Sequence, residues 1–157
     1  LARAVYNSIK DSFEDACSLG NVRENSATHD HGHLIRILLN TLGDKTEFLL
    51  RDVNELVSVL KRRLCQRKVL LILDDVDKLN QLKVTAGDIN WFGSGSRIII
   101  TTRNKGLLRS HGVQRLYEVG KLSGTEAICL LRRIALKADT VDPSYESILH
   151  RIVAFAC

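Results

Sequence analysis

Two neighbouring aspartates at the end of an apolar run carry the clearest chemical signal in the sequence. Asp74 and Asp75 directly follow the run Val69-Leu70-Leu71-Ile72-Leu73. An uninterrupted apolar run predicts a strand covered on both faces, as in parallel sheets. Ligands of such sheets bind beyond the carboxyl ends of the strands, where these two carboxylates would lie. One carboxylate could hold Mg²⁺ together with phosphate oxygens, and the other could orient or deprotonate a water.

A second apolar run predicts a neighbouring strand that ends at the same edge. Residues 97–102 read Arg-Ile-Ile-Ile-Thr-Thr, and Arg103 follows them. The segment between the two runs is long enough for a right-handed crossover with a helix, which we expect to contain Leu79 and Leu82. Thr102 and Arg103 would then face the crevice, and a guanidinium suits bidentate contacts with phosphate. Two plainer interpretations stay open: residues 75–77 cap the next helix, or Arg103 is a surface residue.

Other motifs in the chain are weaker. Gly93-Ser94-Gly95-Ser96 precedes a strand and lacks the Lys of a phosphate loop, so we predict a turn. No Gly-Lys-Ser/Thr pattern occurs anywhere in the chain. His29-Asp30-His31-Gly32-His33 invites a metal assignment, but alternate histidines do not share a helix face, and we predict a polar loop.

Composition predicts a globular chain. Apolar residues make up 45% and charged residues 26% of the 157 residues, and no apolar run is long enough to cross a bilayer. The net charge is +5, with a basic stretch at residues 61–68 that we interpret as a solvated helix face rather than a nucleic-acid site. The four cysteines form no CxxC pair and are expected to be mostly buried, reduced thiols: Cys17, Cys65, Cys129 and Cys157.

The remaining periodicity predicts an α/β portion followed by helices from about residue 122. Helical spacing is present in residues 1–12, 34–42 and 53–64, while residues 16–19 with Val22, and residues 117–119, could be short strands. Ser123 and Glu126 have the spacing of a capping box, and Ala127, Ile128, Leu131, Ile134, Ala135 and Ala138 form a helix stripe after it. Asp142-Pro143 is expected to open the last helix.

Taken together, these segments resemble the NB-ARC nucleotide-binding domain of plant disease-resistance proteins, the NLR immune receptors. Residues 21–26 are similar to the family's first internal motif, residues 68–77 to its kinase-2 (Walker B) motif, and residues 93–103 to the motif after it. Asp77 is typical of the branch of receptors that carries a TIR domain. Asn104 departs from the Asp that is frequent there, and Leu131 and Leu136 stand where Phe is frequent.

The resemblance implies a P-loop NTPase fold of AAA+/STAND type, a three-layer α/β/α parallel sheet that lacks its first central strand. Residues 1–121 would be a partial nucleotide-binding subdomain, and residues 122–157 the start of the helical ARC1 subdomain. Both ends of the chain are helix-patterned without caps, and Met is absent. We therefore expect an internal fragment between the phosphate loop and the Gly-Leu-Pro-Leu motif.

The resemblance also implies an ADP/ATP switch in an intracellular receptor, cytoplasmic with nuclear entry left open. Asp74 would bind Mg²⁺, Asp75 would be the hydrolytic carboxylate, and Thr102 and Arg103 would contact nucleotide. Partners would be nucleotide, the TIR and LRR domains, and other copies in an oligomer formed on activation. We expect at most slow ATP hydrolysis in the intact receptor, none by this chain, and weak or no ADP binding without the phosphate loop.

Two alternatives stay open at this point. Another P-loop ATPase of AAA or STAND type would turn over ATP steadily. A non-enzymatic interaction module could bind nucleic acid weakly through residues 61–68, and that binding would depend steeply on salt.

Overall fold

The computed structural model describes residues 1–43, 52–136 and 143–156. In chain order its helices and strands are α1 (Ala2–Ile9), β1 (Asp15–Leu19), α2 (Val22–Thr28), α3 (His31–Thr41), α4 (Val53–Cys65), β2 (Val69–Leu73), α5 (Leu79–Ala86), β3 (Arg97–Ile100), α6 (Lys105–Ser110), α7 (Gly124–Leu131) and α8 (Pro143–Ala156). They fall into two compact units, Leu1–Leu116 and Tyr117–Cys157. None of the described helices is long and apolar enough to cross a membrane.

The first unit is built on a parallel sheet with the order β1-β2-β3. In its register Cys17 pairs with Leu71, and Leu71 pairs with Ile98. The parallel direction of all three strands confirms the α/β class predicted from the apolar runs. Helix α5 lies in the crossover from β2 to β3, also as predicted.

Strand β2 is buried at every position because helices cover both faces of the sheet. On one face, Leu71 and Leu73 belong to a cluster that includes buried leucines of α3, α4 and α5. On the other face, Leu70 and Ile72 pack with Ala2, Tyr6 and Ile9 of α1. This arrangement is a three-layer α/β/α sandwich, and the uninterrupted apolar run is its sequence counterpart.

Several helices begin at a side chain that satisfies their first backbone N–H groups. Asp30 accepts from the N–H of His33 at 2.9 Å at the start of α3, and Asp52 accepts from the N–H of Asn54 at the start of α4. Asn104 does the same for α6, so the departure from Asp at this position preserves the cap.

The second unit begins its first helix with the predicted capping box. The Ser123 hydroxyl accepts from the N–H of Glu126, and the Glu126 carboxylate accepts from the Ser123 N–H at 2.8 Å. Hydrogen bonds from the backbone and the hydroxyl of Ser123 lower the pKa of the Glu126 carboxyl below its ordinary value. Helix α7 continues as a π-helical turn, Arg132–Leu136, and an ion pair between Arg132 and Glu146 joins this turn to α8.

Two predictions about local structure in the N-terminal half of the chain are wrong. Val22 does not extend a strand: Asn21 adopts a left-handed conformation with φ 51°, and this bend starts α2 at Val22. The histidine-rich segment is not a continuous loop, because Asp30 caps a helix that starts at His31. The rings of His29 and His33 stack with 4.1 Å between their centroids.

The short strand predicted at residues 117–119 does not form. Tyr117 is 85% exposed and Val119 is 64% exposed, and no described strand pairs with this segment. Three residues of β-type sequence cannot hold a ladder without a neighbouring strand. The second apolar run also forms a shorter strand than predicted, ending at Ile100.

The cysteine prediction holds for Cys17 and fails for two others. Cys17 is buried in β1, and burial, with the nearby Asp15 carboxylate, raises the pKa of its thiol to about 12. Cys65 and Cys129 are exposed, because each stands on the outer side of an amphipathic helix. Cys157 and the predicted cap Asp142 lie outside the described residues, as does Ala138, although α8 does begin at Pro143.

The turn predicted at residues 93–96 packs closely against the chain that enters β2. The N–H of Gly93 donates to the carbonyl of Leu64 at 2.9 Å, and the hydroxyl of Ser96 accepts from the N–H of Val69 at 2.9 Å. A Cβ atom at Gly93 would stand 2.4 Å from the carbonyl oxygen of Arg67. Glycine is therefore required at position 93, because the backbone of Arg67 leaves no space for a side chain.

We predict that Gly93→Ala destabilises the protein by about 1–3 kcal/mol, because the added methyl group collides with backbone that cannot move freely. Urea unfolding followed by circular dichroism measures the change. The matched control is Gly20→Ala, where an added Cβ meets no atom within 4 Å and little change is expected. Equal stability of the two variants would contradict the close approach.

Candidate functional site

The carboxyl ends of β2 and β3 border an open cleft of about 500 Å³. The residues predicted from the sequence to form a site all line it: Asp74, Asp75, Thr102 and Arg103. The cleft is completed by Thr101 and by three residues from the loop and helix that follow β1, namely Asn21, Arg23 and Glu24. The expected juxtaposition of two strand ends is thus present in the fold.

Thr101 ties the two strand ends together through its side chain. Its hydroxyl donates to Asp74 Oδ1 at 2.5 Å and accepts from the backbone N–H of Asp75 at 2.9 Å. The backbone continues the ladder, since Thr101 N–H donates to the Leu73 carbonyl and Val76 N–H donates to the Thr101 carbonyl, both at 2.9 Å. Thr101 therefore fixes both aspartates, a role that the apolar pattern of the run did not indicate.

Asp75 has a left-handed backbone with φ 59°, which is uncommon for a residue other than glycine. Aspartate tolerates this conformation better than most side chains because it is short and polar. The Asp75 carboxylate forms an ion pair with Arg23, with 3.0 Å between Oδ2 and Nη2. No sequence spacing links residues 23 and 75, so only the fold reveals this pair.

The segment after β1 is attached to the end of β2 by backbone hydrogen bonds. Asp74 N–H donates to the Leu19 carbonyl at 2.8 Å, and Val22 N–H donates to the Asp74 carbonyl at 3.0 Å. Arg23 N–H in turn donates to the Asp75 carbonyl at 3.1 Å. Residues 21–24 therefore form one wall of the cleft.

Thr102 and Arg103 form the opposite wall, after β3. The Thr102 hydroxyl accepts from the N–H of Asn104 at 3.1 Å, and Asn104 caps α6. This arrangement fixes the backbone around Arg103, whose side chain is exposed. A long cationic side chain at the rim can reach a ligand in the cleft without the cost of being buried.

A second cleft of about 680 Å³ adjoins the first and shares Asp74, Asn21 and Glu24 with it. Its other wall is formed by the beginning of α1, including Ala2 and Arg3. Asp74 thus borders two connected clefts at the same edge of the sheet.

The available donors fit Mg²⁺. Asp74 supplies a carboxylate at the edge of the sheet, and the hydroxyls of Thr101 and Thr102 add oxygen atoms to the same cleft. Across the described ranges, no group of three or more His, Cys, Asp or Glu side chains is placed to hold a metal. Mg²⁺ accepts such a sparse protein site because it completes its shell with water and phosphate oxygens.

The plainer interpretation, that residues 75–77 cap the next helix, is wrong: Lys78 is the N-cap residue of α5, and Asp77 takes part only through the side chain of Gln81. The buried side chain of Gln81 accepts from the N–H groups of Asp77 and Lys78 and donates to Asp77 Oδ1 at 2.7 Å. These bonds fasten the start of α5. Asp74 and Asp75 instead face the cleft.

Two of the basic residues considered for nucleic-acid binding have partners within the fold. Arg67 pairs with Asp15 at 3.0 Å, and Lys68 donates to the carbonyl of Ser12 at 2.7 Å. The Lys68 ammonium also lies 5.1 Å from the centre of the Phe13 ring. These contacts give both cations a structural role.

Replacing Thr101 with Val should destabilise the protein by about 1–2 kcal/mol, because the N–H of Asp75 and the Asp74 carboxylate lose their partner while the side-chain shape is kept. Thr101→Ser retains the hydroxyl and is the matched control. Equilibrium urea unfolding of both variants measures the difference. A Val variant as stable as the Ser variant would show that the hydroxyl does not hold the strand ends.

Asp75→Ala should be less stable than Asp75→Gly by about 1 kcal/mol, although alanine is ordinarily the more favourable residue. Both changes remove the carboxylate, so their difference isolates the left-handed backbone. Thermal or urea unfolding provides the comparison. An alanine variant equal to or more stable than the glycine variant would argue against the left-handed conformation.

Sequence comparisons identify relatives among plant disease-resistance proteins. The chain is 37% identical over 141 residues to disease resistance protein RML1A of Arabidopsis thaliana, covering 87% of this chain and 14% of the relative. It is 36% identical over 157 residues to disease resistance protein RPV1 of Vitis rotundifolia, covering 99% of this chain and 11% of the relative. It is 33% identical over 163 residues to TMV resistance protein N of Nicotiana glutinosa, covering 99% of this chain and 14% of the relative.

The chain therefore spans about a tenth to a seventh of the length of these relatives. Residues 1–141 match the NB-ARC domain. This match covers the whole parallel sheet and every residue of the cleft. The α/β sheet with its aspartates at the strand ends is thus that of a P-loop NTPase-type domain, and the chain belongs to the NB-ARC family.

Proposed function

We propose that the chain is the nucleotide-binding part of an ADP/ATP switch in a plant immune receptor. The observation that carries the proposal is the cleft at the ends of β2 and β3, where three carboxylates, two hydroxyls and two guanidinium groups meet. Carboxylates beside arginines are what a complex of a divalent cation with phosphate requires, because each charge then has a counterpart.

Five residues of the cleft have distinct roles in this proposal. Asp74 holds Mg²⁺, and the Thr101 hydroxyl fixes the Asp74 carboxylate. Thr102 adds a second hydroxyl to the cleft. Asp75 orients a water for slow hydrolysis, and Arg103 contacts the terminal phosphate. Bound Mg²⁺ supplies positive charge that offsets the charge of the phosphate oxygens.

The receptor context is also a proposal. Residues 1–121 serve as the nucleotide-binding subdomain and residues 122–157 as part of the helical ARC1 subdomain. Asp77 favours the TIR-bearing branch of intracellular receptors, with an LRR domain as a further partner. ADP holds such a receptor closed, and exchange for ATP opens it and permits assembly into an oligomer and defence signalling.

A steadily turning-over ATPase of AAA or STAND type is the second candidate. The cleft suits it equally well, since its chemistry is that of P-loop NTPases in general. Phosphate release from the longer protein containing this domain distinguishes the two: a switch releases phosphate at a low rate, and a regulator ATPase does so continuously.

We predict that Asp74→Asn weakens the binding of a divalent cation at least tenfold, about 1.4 kcal/mol, because the amide loses the negative charge while keeping the shape. The probe is Mn²⁺ in place of Mg²⁺, with free Mn²⁺ measured by electron paramagnetic resonance. The cation is a better probe than ADP here, because the sequence lacks the Gly-Lys-Ser/Thr loop that supplies most phosphate contacts.

The matched control is Asp88→Asn. Asp88 accepts from the N–H of Asn90 at 2.8 Å, outside the cleft, and asparagine can keep that bond. Its Mn²⁺ affinity should equal that of the unchanged protein. If Asp74→Asn also binds Mn²⁺ as tightly as the unchanged protein, the metal role of Asp74 is wrong.

A further inference from the structure

An arginine on α2 forms an ion pair with Asp75, the carboxylate that orients a water in the proposed function. Arg23 is the second residue of α2, and its Nη2 lies 3.0 Å from Asp75 Oδ2. The side chains are 47% and 27% exposed, so the pair lies at the mouth of the cleft rather than in the core. The sequence motifs assign no role to Arg23.

The contact is part of a wider attachment between α2 and the end of β2. Val22 N–H and Arg23 N–H donate to the carbonyls of Asp74 and Asp75, at 3.0 and 3.1 Å. These bonds place the first turn of α2 directly against the two aspartates. The ion pair of Arg23 with Asp75 therefore lies beside backbone hydrogen bonds between the same two segments.

Asp75 is held from both sides. Its N–H donates to the Thr101 hydroxyl on the β3 side, and its carboxylate meets Arg23 on the α2 side. Its left-handed backbone, with φ 59°, sets the direction of the side chain between these partners. Asp74 is bound only by Thr101 among the side chains of the cleft described above, so the two neighbouring carboxylates have different surroundings.

We propose that Arg23 is a positioning residue for Asp75. It holds this carboxylate on the α2 side of the cleft and offsets its charge, which leaves Asp74 as the carboxylate at the end of β2 that is available to the cation. This inference rests on the proposed function. It adds that α2 and the carboxylate move together, so that a shift of α2 changes how much negative charge the cleft presents.

The test measures Mn²⁺ binding to Arg23→Gln, Arg23→Lys and Asp75→Asn and to the double variant Arg23→Gln with Asp75→Asn. Arg23→Gln releases the Asp75 carboxylate to the cleft, so Mn²⁺ should bind about threefold tighter or more. Arg23→Lys keeps the charge and should bind within about twofold of the unchanged protein. Arg97→Gln, at the opposite end of β3, controls for loss of a positive charge elsewhere.

The double variant separates positioning from a general effect of charge. If Arg23 acts through Asp75, Arg23→Gln changes the affinity less than twofold once Asp75 has been replaced by asparagine. An equal gain in both backgrounds would overturn the proposal, because the arginine would then act directly on the cation.

A measurement without any cation keeps the inference independent of the metal site. The ¹³C chemical shift of the Asp75 carboxyl should move in Arg23→Gln and stay close to the original value in Arg23→Lys. If the shift is the same in all three proteins, Arg23 does not hold Asp75. If the shift moves as expected but Asp74→Asn leaves Mn²⁺ binding unchanged, the positioning contact stands and the proposed metal site fails.

Discussion

The hydroxyl of Thr101 joins the ends of two parallel strands, and the geometry of the cleft depends on it. It donates to Asp74 Oδ1 at 2.5 Å and accepts from the Asp75 N–H at 2.9 Å, so one oxygen fixes both a side chain and the backbone of the next residue. Parallel strands bring their carboxyl ends to one edge but do not by themselves set side-chain directions. Here that direction comes from a threonine that directly follows the neighbouring strand.

The layered sheet could be predicted because a strand buried on both faces has an uninterrupted run of apolar residues in the sequence. An unbroken apolar strand such as Val69–Leu73 is expected only where helices cover both faces, and such helices cover β2. The side chains after the strands could also be predicted, since parallel direction alone brings Asp74 and Arg103 to the same edge. The family predicted from the sequence is also confirmed, since residues 1–141 match the NB-ARC domain. The roles of individual side chains stay proposals.

The parts that could not be predicted depend on contacts between distant residues. Arg23 and Asp75 meet because α2 docks against the end of β2, and no local pattern encodes that docking. Tyr117 has strong β propensity but forms no strand in the described structure, since propensity alone does not provide a partner strand. Cys129 has apolar neighbours in the sequence, which favour burial, but its own position is on the outer side of α7.

The uninterrupted apolar sequence of β2 also has a consequence for strand alignment. In a half-exposed strand, a slip of one residue would place polar side chains in the core, so burial alone selects the alignment. Every residue of β2 is apolar, and such a slip would exchange Leu70 for Leu71 at little hydrophobic cost. The alignment is therefore decided at the strand ends, by Ser96 at Val69 and by Thr101 at Asp74. Thr101, which fixes the aspartates of the cleft, thus also helps to select the pairing of the strands, which burial alone would not distinguish.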